Sequence, residues 1–372
     1  MKYSLILCSN MHMDIDKANS IFSENQHIEW VSDYKIADVV IIMTCAFGTK
    51  KRYSMFVIAD VIKSTKPKTR IIATGCLAKL NKTELEALPN LEVKSLEEVL
   101  KMLKMEEDSG CKYEICKIPQ DTVIISNGCL KKCSYCVYPL FEGKYTSKPL
   151  EAVLSEVKSL YKSGEPVIYI TGAHETSDYG IDLYGKRSFA RLIDEVCTNF
   201  PNAKYVIGWF HPVGLTDDVI RVLSKHKNIV QIMVHIQHVE NALLSNMNRP
   251  KFEETEERIQ KLHAVRPDLG ISTELIVGFP GETEEMFNHL VEYLEKRRNI
   301  FTDIGIASYE PVINTKASKL SNLPRLEVRN ARMQVIKEKF GAVGYEAPKD
   351  FEPLLSSFFE ACYLLDWYAD EM

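Results

Sequence analysis

The chain lacks a basic excess: 46 Lys and Arg against 51 Asp and Glu leave a net charge of −5. Nucleic-acid binders carry a basic footprint, so composition gives an RNA or DNA partner no support. No stretch approaches the roughly 20 apolar residues of a membrane span. Residues 1–8 are too short and too weakly basic for a secretion signal. Both absences point to a cytoplasmic protein with no membrane partner. There is no internal repeat and no low-complexity tract, which excludes a solenoid. In a reducing compartment the ten cysteines read as metal ligands before disulfides. With 372 residues, 45% of them hydrophobic, the chain can build two domains, or one large barrel with an attachment, around a full core.

Against these absences stands one dense motif. Cys129, Cys133 and Cys136 form Cys-Leu-Lys-Lys-Cys-Ser-Tyr-Cys, between a strand-like segment at 122–126 and a helix-like one from Pro149. Three thiolates can hold only three irons of a four-iron, four-sulfur (4Fe-4S) cube, so one iron stays open to a ligand. Zinc sites usually pair CxxC with a second CxxC or with spaced histidines, and neither follows here.

The first hundred residues alternate strand and helix. Short β-branched runs at 2–7, 39–43 and 70–73 are separated by helical spacing at 15–22 and 54–62, a pattern that predicts a parallel sheet with covered faces. Each run reaches a cysteine within a few residues: Cys8, Cys45 and Cys76. Carboxyl ends of parallel strands share one edge, where ligands bind, so three distant thiols would converge there. The alternative is three independent buried thiols. A polar connector at 101–117 holds Cys111 and Cys116, whose spacing matches no ligand pattern. Beyond it, strand candidates at 122–126, 167–171, 205–208, 230–235, 271–277 and 304–308 predict six βα units in a partial barrel with its site at the strand carboxyl ends. His211, His235 and His238 fall at strand ends or loops, where a lone histidine is more often structural than catalytic. Cys197 reads as helix core.

Taken together, these motifs resemble the methylthiotransferase branch of the radical S-adenosylmethionine (SAM) superfamily. The amino-terminal match lies in Ala-Asp-Val-Val-Ile-Ile-Met-Thr-Cys-Ala and Ile-Ile-Ala-Thr-Gly-Cys-Leu-Ala; the core match includes Gly128-Cys129, Pro139, Phe141, Gly143-Lys144, Ser147 and the run Ile276 to Glu285. Glu175-Thr176, Tyr179 to Tyr184, His211-Pro212 and Gln237-His238 resemble the ribosomal-protein aspartate enzymes more than the tRNA enzymes. The resemblance implies an α/β fold: an amino-terminal parallel-sheet domain at 1–108, a partial (β/α)6 TIM-like barrel at 119–320 and a helical extension at 321–372 where members carry a small β-barrel (TRAM) domain. It implies two 4Fe-4S clusters, an auxiliary one on Cys8, Cys45 and Cys76 and a SAM-binding one on Cys129, Cys133 and Cys136. SAM contacts would come from Tyr135, Gly172, Gly278 and Pro280, and substrate contacts from His174, Glu175, Gln237 and His238. The implied reaction replaces hydrogen on an unactivated carbon by methylthio, one SAM giving the methyl and another the 5′-deoxyadenosyl radical.

The departures fall where substrate should lie. His174 stands for a family Gln, Val239-Glu240 for Gly-Ser, and residues 311–314 for an acidic stretch. The last 32 residues are acidic and place Leu354, Phe358, Cys362 and Leu365 on one helical face. A peptide or protein acceptor is expected, such as a small ribosomally made precursor, with a flavodoxin or ferredoxin as electron donor. Formation of another C–S bond such as a thioether, or tRNA methylthiolation, are the alternatives.

Overall fold

The computed structural model describes residues 2–7, 28–31, 33–44, 49–103, 122–136, 138, 144–161, 166–312 and 315–344. They fall into two compact units, divided after residue 118. Cys8, Cys45, Cys111, Cys116, Pro139, Phe141, Gly143, the predicted helix at 15–22 and the tail at 345–372 lie outside the described residues.

The first unit is a parallel sheet of β1 (Lys2–Leu7), β2 (Glu29–Trp30), β3 (Val39–Thr44), β4 (Arg70–Gly75) and β5 (Leu91–Val93), in the order β2-β1-β3-β4-β5. All six residues of β3 are buried, as a central strand covered on both faces requires. The helix Thr49–Ser64 covers one face with Met55, Ile58 and Val61, which join Val40, Ile42, Ile71 and Ala73 in one core. The register pairs Leu7 with Met43 and Thr44 with Gly75, so three neighbouring strands run out side by side at the same edge.

The second unit is an open parallel sheet with strands in chain order. After β6 (Thr122–Ile124), a two-residue hairpin of β7 (Ser126–Asn127) and β8 (Thr146–Ser147) branches off. The sheet continues through β9 (Val167–Thr171), β10 (Lys204–Phe210), β11 (Ile229–Val234), β12 (Gly270–Val277), β13 (Phe301–Ser308) and β14 (Val343–Gly344). In-order parallel strands with intervening helices make a partial barrel. The helix Leu326–Phe340 and β14, assigned from sequence to the extension, add to this unit: Met333 and Ile336 enter its core and β14 pairs with β13.

Burial alternates along these strands. Ile168, Ile170, Tyr205, Ile207, Ile232, Val234, Leu275 and Val277 pack into the helix layer through Val153, Leu192, Leu223, Leu262 and Leu290. Each such side chain contributes roughly 1.5–3 kcal/mol when fully buried. On the opposite face Tyr169, Val206, Gln231, Met233, Glu274 and Ile276 stay partly exposed. The register sets Tyr169 beside Val206, Val206 beside Gln231, Met233 beside Ser272, and Ser272 beside Asp303, so they share one inner face. Among the described strand residues this face carries Glu274 and Asp303, and its one basic side chain is Lys204 at the amino-terminal start of β10, the end opposite the strand carboxyl ends.

Candidate functional site

The cysteine loop leaves the barrel just past β6. Gly128 turns the chain at φ +80°, a conformation that glycine adopts without steric cost. Cys129, Cys133 and Cys136 follow, all partly buried and unbridged. The loop is fixed from below: Ser134 donates its N–H to Met247 O at 3.0 Å and its Oγ–H to Asn246 O at 2.6 Å, while Asn248 Nδ2 donates to Lys132 O at 2.8 Å. Tyr135 packs into a satellite core with Leu243, Met247 and Phe279, meeting the Phe279 ring edge-on at 6.5 Å.

Two donors face the sulfurs. The Lys131 N–H lies 3.4 Å from Cys129 Sγ, and Arg249 Nη1 lies 3.8 Å from Cys133 Sγ. Burial pushes the thiols of Cys129 and Cys136 up to about 12, so they stay protonated until a metal takes the proton's place. Among the described residues no three His, Cys, Asp or Glu side chains close around a single metal ion. A four-iron cube spreads its thiolates wider than one ion does. Three thiols in one pinned loop, with N–H groups aimed at two of them, therefore fit such a cluster.

The strand ends beside the loop carry the other polar groups. Glu175 is buried, and its carboxylate accepts from the N–H groups of Ser177 (2.7 Å), Asp178 (3.0 Å) and His211 (3.2 Å). Burial, then the neighbouring Asp178, raises its pKa. Asp178 is paired with Lys131 at 2.7 Å and Arg187 at 2.9 Å, which ties the cysteine loop to the turn after β9. A cleft of about 440 Å³ opens there, lined by Leu130, Lys131, Lys132, Asp178, Arg187 and His211 among others. His174 stacks on Tyr138 with ring centroids 3.9 Å apart. Gly172 gives its N–H to Thr176 Oγ1 at 2.9 Å, and a Cβ there would strike the Glu175 carbonyl oxygen.

Gln237 is buried with its Oε1 unpartnered and its backbone at φ +66°; Trp209, more than a third exposed, has φ +45°. Two non-glycine residues held in the left-handed region at the ends of β11 and β10 are the kind of strain that collects at functional sites. His235 Nε2 and Arg249 Nε are likewise enclosed without partners. His235 Nδ1 lies 3.7 Å from Glu274 Oε2, and burial lowers the histidine's pKa, as it does for His211. These orphaned polar atoms around one strand end fit a polar ligand such as SAM.

Gly278 and Pro280 lie in a braced turn after β12. Gly278 sits at φ +72°, against Arg329, and gives its N–H to Glu282. Fully buried, the Glu282 side chain also meets His238 Nε2 at 3.2 Å and Arg332 Nη1 at 3.0 Å. His238 is thus committed to the brace, its Nδ1 accepting from the Glu240 N–H at 3.1 Å. Sequence reading passes over Arg249, Glu274 and Glu282; of the three only Glu274, inside the strand-like run 271–277, stands out as a charge among apolar neighbours.

For the auxiliary set, the strands that precede Cys8, Cys45 and Cys76 in the chain end side by side at Leu7, Thr44 and Gly75. Cys76 begins the helix Cys76–Leu80, after Gly75 at φ +97°, where a Cβ would strike Thr44 O.

Comparison with known proteins agrees with this arrangement. Residues 123–294 match the Radical SAM superfamily, and residues 5–96 match Uncharacterized protein family UPF0004. Ribosomal protein uS12 methylthiotransferase RimO of Prochlorococcus marinus (strain MIT 9215) is 32% identical, over 89% of this chain and 76% of its own. The enzyme of the same name from Alkaliphilus oremlandii is 30% identical, over 88% and 78%. The fold is similar to that of the radical S-adenosylmethionine methyltransferase TsrM from Kitasatospora setae, with a TM-score of 0.55 at 15% identity over 85% of this chain and 75% of that one. No helix among the described residues is long and apolar enough to cross a membrane. The chain belongs to the radical SAM methylthiotransferase family, in the RimO-like branch, a family of sulfur-inserting enzymes that use two 4Fe-4S clusters and SAM.

Proposed function

We propose that the enzyme places a methylthio group on an unactivated carbon of a peptide or protein, with one SAM as methyl donor and another as radical source. The observation that carries the choice of a polypeptide is the inner face of the barrel sheet. It presents Glu274 and Asp303 against a single basic residue, Lys204 at the amino-terminal start of β10, a poor lining for phosphates and a suitable one for an acceptor rich in hydrogen-bond donors. The curated relatives are named for a ribosomal protein.

Cys129, Cys133 and Cys136 would hold one cluster, with an iron left open to SAM, and Cys8, Cys45 and Cys76 the other. When bound, the clusters and SAM supply the one-electron and sulfur chemistry. The chain supplies placement. Tyr135 anchors the cysteine loop through the Phe279 contact. Gly172, Gly278 and Pro280 shape the walls on the SAM side. Gln237, with its free Oε1, and His174 on the Tyr138 ring are the residues placed to meet substrate, while Glu175 and His238 act through the backbone they hold. The domain division proposed is 1–108, 119–320 and 321–372, the last of these packing its helix Leu326–Phe340 and β14 onto the barrel, with reduction by a flavodoxin- or ferredoxin-type donor.

Anaerobic incubation of the reconstituted enzyme with SAM, reductant and candidate peptides should yield a product heavier by CH2S, the exchange of H for SCH3. SAM consumption with no sulfur transferred to any peptide, or transfer to tRNA instead, would refute the polypeptide reading.

A further inference from the structure

We infer that Arg249 is a positioning residue that makes the cluster on Cys129, Cys133 and Cys136 easier to reduce, through a charged N–H···S contact to Cys133; this rests on that triad holding a cluster. The placement of Arg249 is enforced. Residues 246–248, immediately before it, are stitched to the cysteine loop by the three hydrogen bonds to Ser134 and Lys132 described above. Asn248 turns the chain at φ +58°, which aims Arg249 back under the loop. Its Nη2 donates to the His235 carbonyl, its Nη1 lies 3.8 Å from Cys133 Sγ, and its Nε is enclosed without a partner.

Among the described residues no carboxylate forms an ion pair with Arg249. An enclosed cation needs an anion. The acidic groups facing it are the Tyr135 phenol, the Cys133 thiol and, more remotely, Glu175. The Glu175 carboxylate is already committed to three backbone donors. The Tyr135 ring is taken up by the apolar cluster around Phe279. Cys133 remains, and it becomes an anion when iron displaces its proton.

A fixed cation and an N–H donor beside a ligating sulfur favour the state with one more electron, since reduction adds negative charge to the centre. The electron comes from the donor protein, and Arg249 keeps its charge throughout. Lysine could supply charge but not the second contact, because only the guanidinium fork reaches the His235 carbonyl and the sulfur together.

The test uses the reconstituted full chain with both clusters, titrated against potential and followed by low-temperature electron paramagnetic resonance. The relevant signal is the one that shifts when SAM is added. Arg249→Gln is expected to lower the reduced-to-oxidised ratio at least tenfold at the wild-type midpoint, about 59 mV for one electron. Arg249→Lys should fall between, and the other signal should not move. A midpoint in Arg249→Gln within threefold of wild type overturns the proposal. If Arg249→Gln fails to retain iron, Arg249→Lys decides by the same criterion. Failure of the underlying reading would look different: Cys133→Ala would then keep its full iron and labile sulfide.

Discussion

Replacing Glu282 isolates the brace beneath the Gly278-Phe279-Pro280 turn. Its carboxylate accepts from the Gly278 N–H and contacts His238 Nε2 and Arg332 Nη1, with no side-chain exposure. Glu282→Ala deletes all three contacts and leaves Arg332 with the exposed Glu284 at 3.2 Å as its carboxylate partner among the described residues, beside the backbone carbonyl of residue 282 at 3.2 Å. Removing one partner of a buried ion pair costs about 3–5 kcal/mol, because the other charge stays buried. In a unit of this size each kcal/mol moves Tm by about 2–4 °C, so the barrel transition should fall by roughly 6–20 °C. Glu282→Gln keeps the volume and an acceptor and should lose about 1–3 kcal/mol. Adding Arg332→Met to Glu282→Ala removes the stranded cation, so the double variant should recover part of the loss, with a coupling of roughly 0.5–3 kcal/mol. Thermal unfolding followed by circular dichroism reads all five proteins, the single Arg332→Met that completes the cycle included. A Glu282→Ala midpoint within about 2 °C of wild type, or strictly additive losses in the double variant, would show that the pair is not the brace described.

Three further outcomes follow from the same geometry. Gly278→Ala would push a Cβ to 2.2 Å from Arg329 Cγ at φ +72°, adding about 1–2 kcal/mol of left-handed strain to the clash; SAM affinity by equilibrium dialysis should drop, and unchanged binding would remove this turn from the SAM site. Cys133→Ala and Cys45→Ala should each lower iron content by about half, because each triad holds its own four-iron cluster; only Cys133→Ala should abolish reductive SAM cleavage, and loss of cleavage in both would contradict the division of roles. For the metal-free protein, the Cys129 and Cys136 thiols, raised from 9.0 to about 12, bind protons more tightly folded than unfolded. Stability should therefore fall as pH rises through that window, with a smaller slope in Cys136→Ser. Denaturant titrations at pH 8 and pH 10 check this, and equal slopes in the two proteins would refute it.

Five of the six barrel strands are legible because each is long enough for β-branched runs to stand out, and the three-residue β6 is legible through the longer apolar run 122–126 that leads to Cys129. β2, β5 and β14, with two or three residues each, carry too little pattern to read. The helix Leu326–Phe340 looked like an appendage because two of the residues it buries are Arg329 and Arg332, which break apolar periodicity. Cysteine spacing announced the site directly, since ligands of one cluster lie close in the chain. Arg249 and Glu282 could not be found that way: one meets its sulfur 116 residues away, the other its guanidinium 50 residues away, and each reads as an ordinary surface charge until the fold joins them.

The half-open inner face of the barrel sheet separates two tasks that most protein interiors combine. Cohesion resides in the outer layer, between strands and helices, where Ile168, Ile207, Ile232 and Leu275 are sealed. Side chains such as Tyr169, Met233 and Glu274 contribute little to that adhesion. They can therefore be exchanged to admit a differently shaped acceptor while the scaffold keeps its fold, which makes this lining the natural place for evolution, or an engineer, to retarget the reaction.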